Sequence, residues 1–322
     1  MQDLLFSIVI ACYNQQEFVR ESVQSALSQW HQSKEVIVVD DASQDGTAQI
    51  LRAFGESIVF AELANNQGAC AARNYGASLA RGKYIVFLDG DDVLMPWALD
   101  TYSRLVGAGN PAIILGRVAV CHTGVPRLRE QNSPREIRFV EYPRFLAKDR
   151  QWVYNTSALV VERAAFRTTD GWSPEIFYQD IQDFLNKLGI AGTTTLILAP
   201  ETVWYRFHTT NASYKVSAFI DGIYILLRKA KAGLYPGGRT QQLERSAWFG
   251  GLIFYWVMTA FRCHLYRLGF RLFITKAWLI MLASIRRGTA WLVGRRPVQI
   301  LPLENAGRNN ESTFKTANGS FA

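Results

Sequence analysis

Three short apolar runs rich in β-branched residues each stop abruptly in polar side chains, and this repetition constrains the chain most. Phe6–Ala11 (FSIVIA) gives way to Cys12-Tyr13-Asn14, Val36–Val39 (VIVV) to Asp40-Asp41, and Tyr84–Leu88 (YIVFL) to Asp89-Gly90-Asp91-Asp92. Runs of this length and composition predict buried strands. Between them Val19, Val23, Ala26, Leu27 and Trp30 recur at spacings of three and four, as do Ala72, Tyr75 and Leu79 over a shorter reach. Such spacing predicts helices. Alternating strands and helices predict an α/β fold, a mostly parallel sheet flanked by helices, with ligands bound beyond the carboxyl ends of the strands.

Asp89, Asp91 and Asp92 crowd three carboxylates into four residues, and such charges repel one another unless a cation lies among them. Hard oxygen ligands at a strand end suit Mg²⁺ or Mn²⁺, which keep open positions for phosphate oxygens. The same string also reads as an acidic solvated turn, which Gly90 and Pro96 favour.

A chain of 322 residues, 49% hydrophobic, suffices for one large core and an appendage. Its net charge of +8 and pI near 9.4 favour anionic partners such as nucleotide diphosphates or an anionic membrane surface. No basic helix, zinc pattern or RNA-binding aromatic motif is visible, so nucleic acid is not expected. Cys12, Cys70, Cys121 and Cys263 form no C-x-x-C pair, which fits a reducing cytoplasmic setting better than a disulfide framework. Val9-Ile10-Ala11-Cys12 superficially resembles a lipoprotein cleavage site, but Asp3 stands where a basic region belongs. A core strand is expected there instead.

Ser7–Asn14, Val38–Thr47, Asn66-Gln67-Gly68 with Ala72–Gly76, and Phe87–Asp92 resemble, in order, the signature blocks of family 2 glycosyltransferases with the GT-A fold. The resemblance is strongest over residues 1–100 and continues to about residue 215. It implies an inverting, metal-dependent enzyme that moves a sugar from a nucleotide-sugar, a UDP-sugar above all, to a glycan or lipid-linked acceptor in polysaccharide or cell-envelope biosynthesis. Tyr13 and Asp41 then occupy base-recognition positions, the ring lying against the base and the carboxylate accepting the uracil imide N–H. Arg73 would reach a base carbonyl or the diphosphate. Asp89, Asp91 and Asp92 would hold Mn²⁺ or Mg²⁺, with Asp91 and Asp92 nearest the ribose and metal. Cys12 stands where many relatives carry threonine. Asp45-Gly46-Thr47 reads as a turn and first cap of a helix running to about Phe54.

Further along, Tyr154–Val161 reads as a strand, and a helix beginning near Tyr178 carries Ile181, Phe184 and Leu188 on one face. By resemblance Asp180 is the second residue of a Glu-Asp pair and the base that deprotonates the acceptor hydroxyl. Gln179 replaces the usual glutamate and only Lys187 follows in place of arginine, which leaves Asp183 as the alternative base. Both aspartates also read as helix-capping residues. Tyr205-Arg206-Phe207-His208 with Asn211-x-Ser213 resembles the closing motif of the catalytic domain, so His208 is a candidate metal ligand or phosphate contact, or simply a structural histidine.

After Phe219 the composition turns aromatic, aliphatic and arginine-rich. Ala247–Phe261 is uncharged but interrupted by Gly250-Gly251, and it falls short of the ~20 residues of a spanning helix. Arg262, Arg267, Arg271, Lys276 and Arg286 interleave with Trp248, Trp256, Trp278 and Trp291, as suits an interfacial segment on an anionic membrane. A helical subdomain packed on the catalytic core is the competing reading. The expected division is a catalytic domain over 1–217 (1–100 nucleotide-sugar side, 101–217 acceptor side), a helical, peripheral-membrane extension over 218–303 on the cytoplasmic face, and a tail over 304–322. Two rival functions are a nucleotidyltransferase, whose glycine-rich phosphate loop is missing at Cys12–Gln16, and a catalytically degenerate glycan-binding protein.

Overall fold

The structure, a computed structural model, describes residues 4–121, 134–148, 155–208, 215–293 and 296–303. The expected tail and the Asn211-x-Ser213 motif lie outside the described residues. The first part runs β1 (Phe6–Cys12), α1 (Val19–Leu27), β2 (Lys34–Asp40), α2 (Thr47–Arg52), β3 (Val59–Glu62), α3 (Ala69–Leu79) and β4 (Tyr84–Asp89). The chain continues through β5 (Val93–Leu94), α4 (Ala98–Gly109), β6 (Ile113–Leu115), β7 (Val118–Cys121), β8 (Glu136–Tyr142), β9 (Leu159–Glu162), α5 (Arg163–Arg167) and α6 (Asp180–Lys187). It ends with β10 (Thr194–Ala199), β11 (Val203–Arg206), α7 (Val216–Lys231), α8 (Arg239–Arg262), α9 (Tyr266–Val293) and β12 (Gln299–Pro302).

The main sheet has nine strands in the order β12-β8-β10-β6-β9-β4-β1-β2-β3. The three expected strands lie side by side towards the β3 edge, β1 pairing in parallel with both β2 and β4. Parallel pairing holds from β3 to β4, but β9 then runs antiparallel between β4 and β6, so the sheet as a whole is mixed. β5, β11 and β7 form a second, three-stranded sheet.

Period-two alternation divides the core between the two faces of the sheet. Phe6, Ile8 and Ile10 of β1 pack with Val19, Val23 and Ala26 of α1, whereas Val9 and Ala11 pack with Ala72 and Ala77 of α3 and with Phe184 of α6. Each of the Val, Ile and Phe side chains among them contributes roughly 1.5–3 kcal/mol when fully buried. Helix α3 forms where its spacing predicts, but its inward face differs from the one expected. Tyr75 and Leu79 are exposed, while Cys70, Ala72, Arg73 and Gly76 are buried.

α8 runs unbroken through Gly250-Gly251, contrary to the interruption expected from the sequence. The reason is close packing: a Cβ on Gly250 would lie 1.9 Å from the Leu279 carbonyl oxygen of α9. Among the described residues one helix is long and apolar enough to cross a membrane, and it is Tyr266–Ala290 rather than the Ala247–Phe261 stretch. Only 22% of its most apolar window is buried, and non-helical dihedrals at Lys276 kink it. β12 then returns to pair antiparallel with β8, which ties the end of the helical extension to the main sheet.

Candidate functional site

Strand register assembles the site. Cys12 pairs with Asp40 and Ala11 with Asp89, so the residues after β1, β2 and β4 emerge in one row at the carboxyl edge. A cavity of about 1110 Å³ opens there, lined by Tyr13, Asp41, Arg73, Asp89, Asp91, Asp180 and His208 among others. The chain regions expected to bind donor and acceptor therefore share one cavity.

Tyr13 is 42% exposed and presents its ring to the cavity. Asp41 is buried, and its carboxylate accepts the backbone N–H of Gln67 at 2.8 Å and of Gly68 at 2.7 Å. Gly68 has φ +88°, a conformation glycine adopts without strain, and it opens α3. Asp41 thus fastens the loop that launches α3, a role not read from the sequence. The Cys12 thiol is buried and lies 3.5 Å from the Val39 carbonyl oxygen; burial, with Asp40 adding to it, pushes the thiol well above its ordinary value.

Arg73 departs from expectation. Its guanidinium donates to Asp180 Oδ2 at 2.7 Å and to Asp89 Oδ1 at 2.8 Å, and it lies 4.9 Å from the centre of the Trp172 ring. Burial pulls this guanidinium down, but Asp89 and Asp180 hold it above its ordinary value. Instead of offering a free fork to a base or diphosphate, Arg73 joins two carboxylates. Burial in turn raises Asp89 above the usual carboxylate range, with Arg73 opposing and Asp91 adding to the effect.

The three clustered carboxylates separate into different environments. Asp91 lines the cavity, with Oδ2 3.0 Å from His208 Nε2, and the His208 ring stacks on Phe18 at 4.9 Å. Asp92, expected beside the metal, is fully buried and does not line the cavity. It accepts the Ser157 hydroxyl and, at 2.9 Å, the backbone N–H of Arg206. Chain alternation after β4 turns Asp92 inward, where it ties β11 to the turn before β9. Among the described residues no three His, Cys, Asp or Glu side chains converge as a metal cage.

Asp180 is the first residue of α6, where a carboxylate suits the helix dipole. Asp183, the alternative base, is fully buried and does not line the cavity. It accepts hydroxyls from Ser173 and Tyr235, each at 2.6 Å, and ion-pairs with Lys229 at 3.0 Å. Although only about one helical turn separates them, Asp180 at the open first position of α6 lines the cavity, while Asp183 lies beneath α7 and ties α6 to α7 and the segment after it. Gln179, at the glutamate position of the resemblance, donates through Nε2 to the Phe219 carbonyl oxygen at 3.0 Å and so holds α6 against α7.

The family profile described as glycosyl transferase family 2 matches residues 7–170. The chain belongs to that family. TuaG of Bacillus subtilis (strain 168), named for teichuronic acid biosynthesis, is 32% identical over 148 residues, 45% of this chain and 56% of its own length. WfaP of Escherichia coli, named as a UDP-Glc:α-D-GlcNAc-diphosphoundecaprenol β-1,3-glucosyltransferase, is 42% identical over 90 residues, 27% of this chain and 36% of its own. The chain thus spans little more than half the length of one curated relative and about a third of the other. The fold is similar to that of Staphylococcus aureus TarS 1–349 in complex with UDP-GlcNAc, with a TM-score of 0.57 at 15% identity, covering 74% of this chain and 69% of that one.

For this family 2 chain, sequence reading missed the residues that complete the cavity from outside the family match. Trp248, Leu252, Tyr255, Arg286 and Arg287 line it from α8 and α9. Their aromatic and cationic character stood out in the sequence, but nothing there tied it to the catalytic side. Ser157 and Trp172 were likewise missed, since each acts through a contact with Asp92 or Arg73 distant in sequence.

Proposed function

We propose that the chain is an inverting glycosyltransferase that takes a sugar from a UDP-sugar, with Mn²⁺ or Mg²⁺ bound, and passes it to a glycan or lipid-linked acceptor. The observation that carries this reading is the bridge Asp89–Arg73–Asp180 beside the Asp91–His208 pair in one cavity. Their 3.0 Å separation fits two adjacent ligands of an ion with bonds of about 2.1 Å. A site with few protein ligands leaves positions for water and diphosphate oxygens. Bound there, the ion would act as a Lewis acid that neutralises charge growing on the departing nucleoside diphosphate.

The chain's own residues supply the remainder. Asp180 accepts the proton of the acceptor hydroxyl as that oxygen attacks the anomeric carbon from the side opposite the leaving phosphate. Arg73 keeps Asp180 oriented and sets it relative to Asp89. Tyr13 provides a face for the base. The UDP-GlcNAc held by TarS and the UDP-Glc in the name of WfaP support a uridine donor, and the names of WfaP and TuaG support a cell-envelope acceptor.

The extension binds the cytoplasmic face of an anionic membrane. Residues 245–303 contain no Asp or Glu but many arginines, and Phe270, Ile274, Trp278, Met281 and Ile285 of α9 are exposed. Apolar side chains among cations gain from both apolar burial and anionic headgroups. The test of the activity is a thermal-shift and hydrolysis screen of UDP-, GDP- and dTDP-sugars with Mn²⁺ and Mg²⁺. Metal-dependent hydrolysis of a UDP-sugar is expected, and failure of every nucleotide-sugar to bind or react would overturn the reading.

A further inference from the structure

Buried polar side chains in a folded chain nearly always have a hydrogen-bond partner. Thr156 departs from that rule. It is only 7% exposed and lines the cavity, yet its hydroxyl has no hydrogen bond with any described residue. The hydroxyl is not sealed within the protein either, so the surface it keeps opens on the cavity.

Asn155, beside it, lines the same cavity. Its Oδ1 accepts the Ser157 N–H at 2.7 Å, which orients the amide and leaves Nδ2 without a partner among the described residues. A fixed N–H donor and a hydroxyl that can both donate and accept therefore stand side by side.

The place of this segment in the fold decides what the pair can meet. The Ser157 hydroxyl accepts the Asp89 N–H at 3.0 Å and donates to Asp92, so residues 155–157 are fastened to the end of β4. Asp89 is joined through Arg73 to Asp180, and Asp91 follows two residues later beside His208. In the reaction proposed above, the anomeric carbon lies between a diphosphate at Asp91 and the base Asp180. The transferred sugar then lies against Asn155 and Thr156.

Charge narrows the sugar further. Asp89, Asp91 and Asp180 line this part of the cavity, and the Arg73 guanidinium is already shared by two of them. Asn155 and Thr156 are both neutral. A sugar carboxylate placed there would face like charges and lose hydration with no counter-charge from either side chain. Hydroxyls or an N-acetyl group would instead meet a donor and an acceptor.

We propose that Asn155 and Thr156 form the subsite that reads the transferred sugar, and that this sugar is uncharged, a hexose or an N-acetylhexosamine rather than a uronic acid. The proposal rests on the function given above and narrows its donor.

The test is calorimetric titration of the full-length protein, with Mn²⁺, by UDP, UDP-glucose, UDP-galactose, UDP-N-acetylglucosamine and UDP-glucuronic acid. The tightest neutral donor should bind at least about tenfold more tightly than UDP-glucuronic acid. Thr156→Val, which removes only the hydroxyl, should weaken that donor about tenfold and leave UDP within about twofold of wild type. Thr156→Ser should keep most of the affinity. Asn155→Asp retains the oxygen that caps Ser157 but replaces the open N–H donor, and it should weaken the donor while sparing UDP. Binding of UDP-glucuronic acid as tight as that of the neutral sugars would overturn the subsite. So would a Thr156→Val effect that is absent, or equal on UDP and on the donor as a merely structural role would give. If UDP itself fails to bind, the uridine reading falls instead, and GDP-mannose against GDP-mannuronic acid decides this one by the same comparison.

Discussion

Arg73 holds Asp180 at 2.7 Å and, through its other terminal nitrogen, Asp89 at 2.8 Å. A single buried side chain on α3 thereby connects the end of β4 with the start of α6. Removing one member of a buried charge network costs about 3–5 kcal/mol, because the partners keep uncompensated charge. Arg73→Gln should lose stability on that scale in denaturant unfolding. Arg73→Lys should recover more stability than turnover, since one ammonium cannot hold both carboxylates in a fork. An unfolding free energy for Arg73→Gln within about 0.5 kcal/mol of wild type would rule the bridge out as a structural element.

Asp180→Asn should lower turnover by roughly a hundredfold or more while leaving donor affinity unchanged, the scale expected for a lost general base. Asp183→Asn should act differently, because Asp183 accepts two hydroxyls away from the cavity. Its folded fraction should turn over within about threefold of wild type, with stability lowered by about 3–5 kcal/mol, because Lys229 and the buried Lys187 lose its counter-charge. Steady-state kinetics beside urea unfolding separates the two, and a hundredfold loss in a stably folded Asp183→Asn would reverse the assignment.

Asp91→Asn should abolish the Mn²⁺-dependent part of UDP affinity, whereas Asp92→Asn should leave it within about threefold. Asp92→Ala should instead destabilise the fold by about 1–3 kcal/mol per orphaned donor, because the Ser157 hydroxyl and the Arg206 N–H lose their acceptor. Calorimetric UDP titrations with and without metal decide this. Metal dependence that survives in Asp91→Asn but not in Asp92→Asn would show that the wrong carboxylate has been chosen.

Glu35 gives a pH-dependent contribution to stability. Burial alone would raise its carboxyl, but hydrogen bonds from the Ser7 hydroxyl and from the Arg81 backbone and side chain bring it below the ordinary value of 4.5. A depressed carboxylate contributes stability above the unfolded value that is lost as pH falls through the folded one. The stability difference between wild type and Glu35→Gln should therefore be full above pH 4.5 and shrink below it. A difference that stays constant across that range would contradict the assignment.

The exposed face of α9 should bring the protein down with anionic vesicles, and less so at high salt. Ile274→Asp and Phe270→Asp, at positions 71% and 56% exposed, should weaken sedimentation without lowering the unfolding midpoint. Protein that stays monodisperse without detergent and ignores vesicles would make the extension a packed subdomain only.

The sequence by itself determined the alternating framework, the strands at Phe6, Val36 and Tyr84, and the row of polar residues at their carboxyl ends. Those features follow from local periodicity, and parallel pairing then places adjacent strand ends side by side. Which carboxylate faces the cavity was decided only by tertiary structure. Asp91 and Asp92 are neighbours in sequence, as Asp180 and Asp183 nearly are, and composition does not distinguish the member turned outward. The role of Arg73 was hidden for the same reason, since its partners are 16 and 107 residues away. So was the junction of α8 and α9 with the catalytic cavity, where a local aromatic and arginine pattern acquires its position only through packing of Gly250 against Leu279. Local pattern specifies elements because it is set by nearest neighbours. The site depends on contacts between distant segments, which the folded chain alone defines.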